Sequence, residues 1–443
     1  MSGTRRIATL SPLVGLVLCV ACTGAGRLSL NSSPHDQYVA MLERSGLDKT
    51  NLGSQWTAAS ESALRTAAPI VSPFAESGYF AAGQPTAVAY RLELQRGRRL
   101  VIEVGFETTE PGRLFVDLFR TEDNGELRRV ASLENDEPLI EYVVDRPATY
   151  VLRLQPELLR SGRFTLAERT VATLRTFPVT GLTSRAVQSA FGAARDSGSR
   201  SHEGIDIFAA RGTPVVAVTD GVARPDTNGL GGNVVWLRGG LIGGTRYYYA
   251  HLDRWAIEGT TRVREGDVLG YVGNTGNAGS TPSHLHFGVY DDGAVDPAPF
   301  LQPDESVTTL TVEPALLGSL VRTRTLRTPL RTGPSAAAPQ RVLLEPETIG
   351  QRLGVAGNWH RVLMPDGAVG YVTDNAVVSA GTPLRRQRAT RSLGLREKPQ
   401  LTAPLMITLE PGAEVEVLGR FRQFDFIRDA QGRAGWTDTS PQQ

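Results

Sequence analysis

Between Leu330 and Trp436 the chain repeats itself. Leu330-Arg331 returns as Leu395-Arg396, Pro334 as Pro399, Leu344-Glu345-Pro346 as Leu409-Glu410-Pro411, Gly367 as Gly432, and Gly370-Tyr371 as Gly435-Trp436, every pair 65 residues apart. A fixed period carrying turn residues and apolar positions in one register predicts two copies of a small β unit. Trp359 and Val362 fall opposite Phe424 and Ile427, so the aromatic positions recur as well; they either fill two small cores or contact a ligand. Upstream, the runs 89–94, 100–104, 114–119 and 149–154 alternate apolar and polar residues and are separated by Gly97, Gly112 and Pro147. Strands at this spacing predict an antiparallel sandwich ending near Thr170, suited to binding or spacing rather than catalysis.

A chain of 443 residues is too long for one core and implies several domains. With 47 Lys and Arg against 46 Asp and Glu, no overall field attracts nucleic acid, and none is expected as a partner. The 47 glycines and 27 prolines fit short strands and tight turns. A short helical lead-in precedes the sandwich, where Tyr38, Met41 and Leu42, and then residues 56–64, recur at helical spacing. His360 stands beside Trp359 with no second ligand type at metal spacing and reads as a surface residue.

Both cysteines, Cys19 and Cys22, lie in the first stretch, so disulfides hold none of the later domains together. Arg5 and Arg6 followed by an apolar run over 13–21 have the layout of a secretory signal and are too short for a membrane span. Export is therefore expected. Cys19-Val20-Ala21-Cys22 resembles the lipobox of bacterial lipoproteins, with Cys19 where that family has leucine, which implies acylation of Cys22 and a membrane contact through a lipid anchor. The alternative is ordinary cleavage after Thr23-Gly24-Ala25, giving a released protein.

Four of the six histidines fall between Ser201 and Phe287. His202-Glu203-Gly204-Ile205-Asp206 gives His-x-x-x-Asp next to a strand pattern, and on a strand residues two or four apart share a face. His284-Leu285-His286 gives His-x-His with apolar neighbours on the other face. Two imidazoles and one carboxylate suit zinc, whose catalytic sites take three protein ligands and keep a fourth position open. Either motif alone is weak; together in one glycine-rich β segment they are much stronger. Glu203 invites comparison with the glutamate of His-Glu-x-x-His, but that motif works on a helix, so Glu203 is read as a neighbour of the site or a surface residue. Glycines 229, 231, 232, 239, 240, 243, 244, 273, 276 and 279 lack the Lys-Ser or Lys-Thr of a phosphate loop and are read as walls of a groove for extended peptide. In the run Tyr247-Tyr248-Tyr249, the last two should face opposite sides.

Phe191-Gly192, His202-Glu203-Gly204-Ile205-Asp206, Ala217-Val218-Thr219-Asp220-Gly221-Val222, Tyr249-Ala250-His251-Leu252, Gly273-Asn274-Thr275-Gly276, Ser283-His284-Leu285-His286-Phe287 and Val295-Asp296-Pro297 stand in one order. This order resembles the LytM and lysostaphin type of zinc metallo-endopeptidase, which cleaves peptidoglycan. The resemblance implies one Zn2+ held by His202, Asp206 and His286, with His251 and His284 as catalytic imidazoles, one accepting a proton and the other supporting the oxyanion, in unassigned order. The Leu-Arg start and late Gly-Tyr or Gly-Trp of the repeats likewise resemble bacterial SH3-like modules, which accompany wall hydrolases.

The expected architecture is mainly β and multidomain: a signal peptide with lipobox (1–22), linker and helical lead-in (23–69), antiparallel β-sandwich (70–175), antiparallel-sheet LytM-type peptidase domain (177–302) and two small SH3-like barrels (308–380 and 384–440). The expected function is exported, zinc-dependent hydrolysis of peptidoglycan cross-links, with the protein lipid-anchored in the envelope, at the periplasmic face of the outer membrane in a diderm, or else periplasmic or secreted. The alternative is a wall-binding or amidase-activating scaffold that keeps the fold without catalysis.

Overall fold

The computed structural model describes residues 32–81, 83–134, 138–195, 198–239 and 244–439. The signal segment with Cys22, and Gly240 and Gly243, lie outside these residues. The described chain is mainly β and built from several sheets, antiparallel except where Ala68–Pro69 pairs parallel to Val88–Leu94. No described helix is long and apolar enough to cross a membrane.

Helix Pro34–Arg44 starts at a capping box in which Ser33 and Asp36 exchange hydrogen bonds; helix Asn51–Arg65 is capped by Thr50. Their apolar faces, Tyr38, Leu42 and Trp56, pack on Phe115 of the sandwich, and Trp56 Nε1 donates to the Pro156 carbonyl at 2.8 Å. The lead-in is thus part of the sandwich surface. Of the two sandwich sheets, one contains Val88–Leu94, Ala148–Pro156, Leu114–Thr121 and Leu127–Ser132, and the other Phe74–Phe80, Gly162–Ala172, Arg98–Thr108 and Leu139–Val143. Tyr90, Ile102, Leu118, Leu152 and Phe164 are fully buried between them.

The second sheet does not stop at the sandwich. Strand Phe74–Phe80 pairs with Ile349–Ala356 of the first repeat, Ser77 opposite Val355 and Gly78 opposite Gly354. Neither glycine could carry a side chain: a Cβ on Gly78 would stand 2.3 Å from the Phe164 ring, and one on Gly354 2.4 Å from the Glu76 carboxylate. Glu76, fully buried, accepts from Arg361 Nε at 2.6 Å and from the Tyr371 hydroxyl at 3.0 Å. A buried charge pair of this kind is costly to break from one side only.

The repeats carry the same contacts 65 residues apart. Arg331 pairs with Tyr371 and Arg396 with Trp436, while their guanidiniums reach the carbonyls of Ala338 and Ala403 at 2.8 and 2.7 Å. Tyr371, Phe424 and Trp436 are buried, which assigns these aromatic positions to cores. The repeat sheets are open, with no closed barrel among the described residues, because the first repeat continues into the sandwich sheet and the second shares the cluster of Leu344, Ile349, Phe421 and Trp436. His360 is not a surface residue: it is buried and bonds Asp374 Oδ1 at 2.8 Å, a partner 14 positions away that local spacing did not suggest.

The histidine-rich segment forms a separate large sheet in the order Val187–Ser189, Ile205–Phe208, His284–Tyr290, Arg246–Trp255, Gly232–Gly239, Gly221–Asn228, Thr261–Val263. One face buries Ile205, Ile207, Tyr249, Leu285 and Phe287. Alternation along the strands therefore turns Asp206, His284, His286 and Tyr248 to the opposite face.

This unit is docked on the sandwich. Arg98 donates to Thr170 and to the carbonyls of Gln302 and Pro303, Arg96 pairs with Asp291, and Gly97, at φ 89°, leaves room for the Phe300 ring. Beside them the Ser72 hydroxyl bridges the carboxyls of fully buried Glu168 and of Glu305, at 2.8 and 2.7 Å. Burial, resisted by the Ser72 bond and aided by the charge of Glu305, pushes the Glu168 carboxyl up to about 7 from an ordinary 4.5. The folded chain holds this proton more tightly than the unfolded one, so the stabilisation is complete below about 4.5 and is lost as pH rises through 7. A rise of this size corresponds to at most about 3 kcal/mol. Glu168→Gln should consequently be more stable than wild type at pH 8 and no more stable at pH 4.5, as measured by denaturant unfolding; equal midpoints at pH 8 would show that the carboxyl titrates normally.

Candidate metal and catalytic site

His284 and His286 project from one face of His284–Tyr290, as a two-residue period requires. His202 and Asp206 come together differently. His202 lies in the connection between Arg200–Ser201 and Ile205–Phe208, so a turn through Glu203-Gly204, and not a shared strand face, brings it to Asp206. Gly204 makes the turn possible, since a Cβ there would stand 2.7 Å from the His286 ring and 2.6 Å from the Phe287 carbonyl. Asp206 is the direct cross-strand partner of His286.

Three donor atoms converge as a result. His202 Nε2 lies 2.9 Å from His286 Nδ1, and Asp206 Oδ1 lies 3.0 Å from each. The three residues form a group that could hold a metal ion. Tetrahedral zinc, with bonds near 2.0–2.2 Å, needs donor separations of about 3.3 Å, so the observed triangle fits after an outward shift of a few tenths of an ångström. His202 Nδ1 donates to the Ala190 carbonyl at 2.9 Å, which leaves Nε2 bare toward the group. Burial alone would raise the Asp206 carboxyl, but the adjacent His202 and His286 imidazoles hold it far below the usual carboxylate range. Burial lowers His286 as well, against the opposing pull of Asp206.

His251 and His284 stand beside this trio. Their rings are 5.0 Å apart, and His284 Nε2 lies 3.9 Å from Asp206 Oδ1. His251 Nδ1 donates to the Thr275 carbonyl and His284 Nδ1 to the Pro282 carbonyl, both at 2.9 Å, so in the neutral form each presents an unprotonated Nε2. Burial, partly offset by the Thr275 bond, pushes His251 down to about 4. His251 also adopts φ 63°, a left-handed conformation unusual for a residue with a Cβ. It is held there by its N–H, bonded to the Gly231 carbonyl at 2.8 Å, at the point where strand Arg246–Trp255 breaks register with Gly232–Gly239 and Gly232 (φ 65°) lies against Thr275.

The trio and the two imidazoles open into a cleft of about 410 Å³. Among the described residues its walls come from positions 188–290, and none from the sandwich or the repeats. Glu203 is exposed, 3.5 Å from the Tyr290 hydroxyl. Arg195 is the site residue that sequence reading missed. It sits on the hairpin pairing Ala194 with Ser201 and Arg195 with Arg200, and its guanidinium donates to Asp206 Oδ2 at 2.5 Å and Ser189 Oγ at 2.7 Å. Arg195 thereby occupies one carboxylate oxygen and leaves Oδ1 for the trio.

Peptidase family M23 matches residues 200–297. This segment is an M23 peptidase domain. The chain is 38% identical over 140 residues to the L-Ala--D-Glu endopeptidase of Bacillus subtilis (strain 168), a match covering 28% of this chain and 42% of the relative. It is 38% identical over 112 residues to the glycyl-glycine endopeptidase ALE-1 of Staphylococcus capitis, covering 23% and 29%. The catalytic domain of lysostaphin from Staphylococcus simulans matches at 31% identity over 25% of this chain and 88% of that structure, with a TM-score of 0.23. The chain thus spans less than half the length of the two endopeptidases it resembles. The M23 segment contains both motif halves, His202 to Asp206 and His284 to His286, together with His251; Arg195 lies just before it.

Proposed function

We propose that the chain is an exported, zinc-dependent endopeptidase that hydrolyses peptide cross-links of bacterial peptidoglycan and is tethered to the envelope by acylated Cys22. The observation that carries this reading is the convergence of His202, Asp206 and His286 with two further imidazoles in one open cleft of an M23 domain. His202 Nε2, Asp206 Oδ1 and His286 Nδ1 would hold the zinc. Bound there, zinc supplies a Lewis acid that polarises the scissile carbonyl and makes water acidic enough to react at neutral pH. His251 and His284 present bare Nε2 atoms toward the same space. The imidazole that takes the proton from water becomes a donor and returns it to the departing amine, while the other supports the oxyanion once it carries a proton. Arg195 holds Asp206 Oδ2, which leaves Oδ1 facing the pair of histidines.

Metal analysis of the purified chain, followed by incubation with isolated peptidoglycan, tests the proposal. The expected result is about one zinc per chain and new amine ends that disappear with chelator. Bound zinc without new amine ends would turn the reading toward a wall-binding scaffold.

A further inference from the structure

We propose that Trp236, Tyr248 and Tyr290 form a stacking platform for a sugar ring of the glycan that carries the cleaved peptide. The inference rests on the proposed cleavage of wall peptide and adds the polysaccharide as a bound part of the substrate. The face of the M23 sheet opposite its core opens into the cleft, and open sheet faces ordinarily carry scattered polar residues. Here three rings cluster. Trp236 and Tyr248 are cross-strand partners with centroids 4.5 Å apart, and Tyr290 meets them edge-on at 5.3 and 6.2 Å. The residue opposite Tyr248 on the next strand is Gly288. A Cβ there would stand 2.7 Å from the Tyr290 ring, so the missing side chain lets Tyr290 lean back and close the row. All three rings are half-buried; contiguous apolar surface left open in this way marks a binding site more than isolated exposed residues do.

The platform is continuous with the cleft. Tyr248 stands edge-on to His286 at 5.9 Å, and Tyr248 and Tyr290 line the cleft that holds the metal trio. Tyr290 stands 6.2 Å beyond Tyr248, so the far ring of the row lies at most about 12 Å from the His286 ring. An extended peptide covers that distance in about four residues, the length scale on which a short wall peptide reaches its point of attachment to glycan. The three strands beneath the rings are interior to the sheet, with their main-chain groups committed to neighbours, so an added peptide strand has nothing to pair with. A sugar needs only ring faces for its C–H surface and donors for its hydroxyls. Arg246, with its guanidinium 5.7 Å from the Trp236 centroid, and exposed Arg224, the cross-strand partner of Trp236, supply the donors.

The test uses the full chain, Trp236→Ala and Trp236→Phe, on two substrates: glycan-bearing wall fragments and the same peptides freed from glycan. For Trp236→Ala, kcat/KM on glycan-bearing fragments should fall roughly tenfold or more, as expected for loss of one stacking ring, with free peptides cut at close to the wild-type rate and zinc content unchanged. Trp236→Phe should restore most of the loss. Calorimetry should also show peptide-free glycan chains binding wild type and not Trp236→Ala. Equal loss on both substrates, or no loss on either, overturns the platform while leaving the peptidase reading intact; a wild type that cuts neither substrate overturns both.

Discussion

Alanine at His202, Asp206 or His286 should yield a chain whose zinc content falls from about one per molecule toward none, with hydrolysis of wall peptide falling alongside it. The donors form a closed triangle with edges of 2.9, 3.0 and 3.0 Å, and no fourth His, Cys, Asp or Glu joins the group among the described residues. Each substitution removes one of only three protein ligands, and affinity cannot survive on two. Arg195→Ala grades the same effect. It leaves all three donors in place but frees Asp206 Oδ2, so zinc affinity should weaken roughly ten- to a hundredfold, as for other partners that orient a ligand. Competition with a chelator of known affinity measures both results. Stoichiometric zinc in Asp206→Ala would remove the carboxylate from the ligand set.

His251→Ala and His284→Ala should do the opposite, keeping zinc while losing roughly a hundredfold or more in kcat. Neither residue belongs to the donor triangle, and each is oriented by a backbone carbonyl. The left-handed backbone at His251 complicates alanine there, because part of any effect would come from strain. Asparagine tolerates that conformation better, so His251→Asn isolates the loss of the imidazole. Metal analysis beside a cleavage assay decides the matter. If His284→Ala lost zinc and His286→Ala retained it, the roles within the His-x-His pair would have to be exchanged; normal cleavage by His251→Asn would make that residue structural.

How much of this was legible in the sequence depended on whether the information was local. The period of two along His284-Leu285-His286 places both rings on one face, and the repeat of Leu-Arg and Gly-aromatic pairs shows in matching contacts at Arg331 and Arg396. The approach of His202 to Asp206 was expected from strand alternation but is made by a turn whose tightness depends on Gly204, a reason visible only with His286 in place. Arg195 carries no signal that separates it from the other cations, since its meaning lies in a hairpin that points it at Asp206. The ring row of Trp236, Tyr248 and Tyr290 required the register of three strands, and His360 required a partner from beyond the following strand. Least legible was the pairing of Ser77 and Gly78 with Val355 and Gly354, which joins segments far apart in the chain with no repeated motif between them.

That pairing bears on how the molecule would search a wall. The sandwich grips the M23 domain through Arg96, Arg98 and Glu305 and the first repeat through buried Glu76 and Arg361, so the sandwich acts as a bracket rather than a tether. A polymer bound to the repeats would therefore meet the cleft at a set distance and angle. If the repeats held a wall polymer and the cleft cut it, as proposed, the bonds within reach would be set by the molecule's own dimensions, and lengthening the bracket, not loosening it, would move the cut.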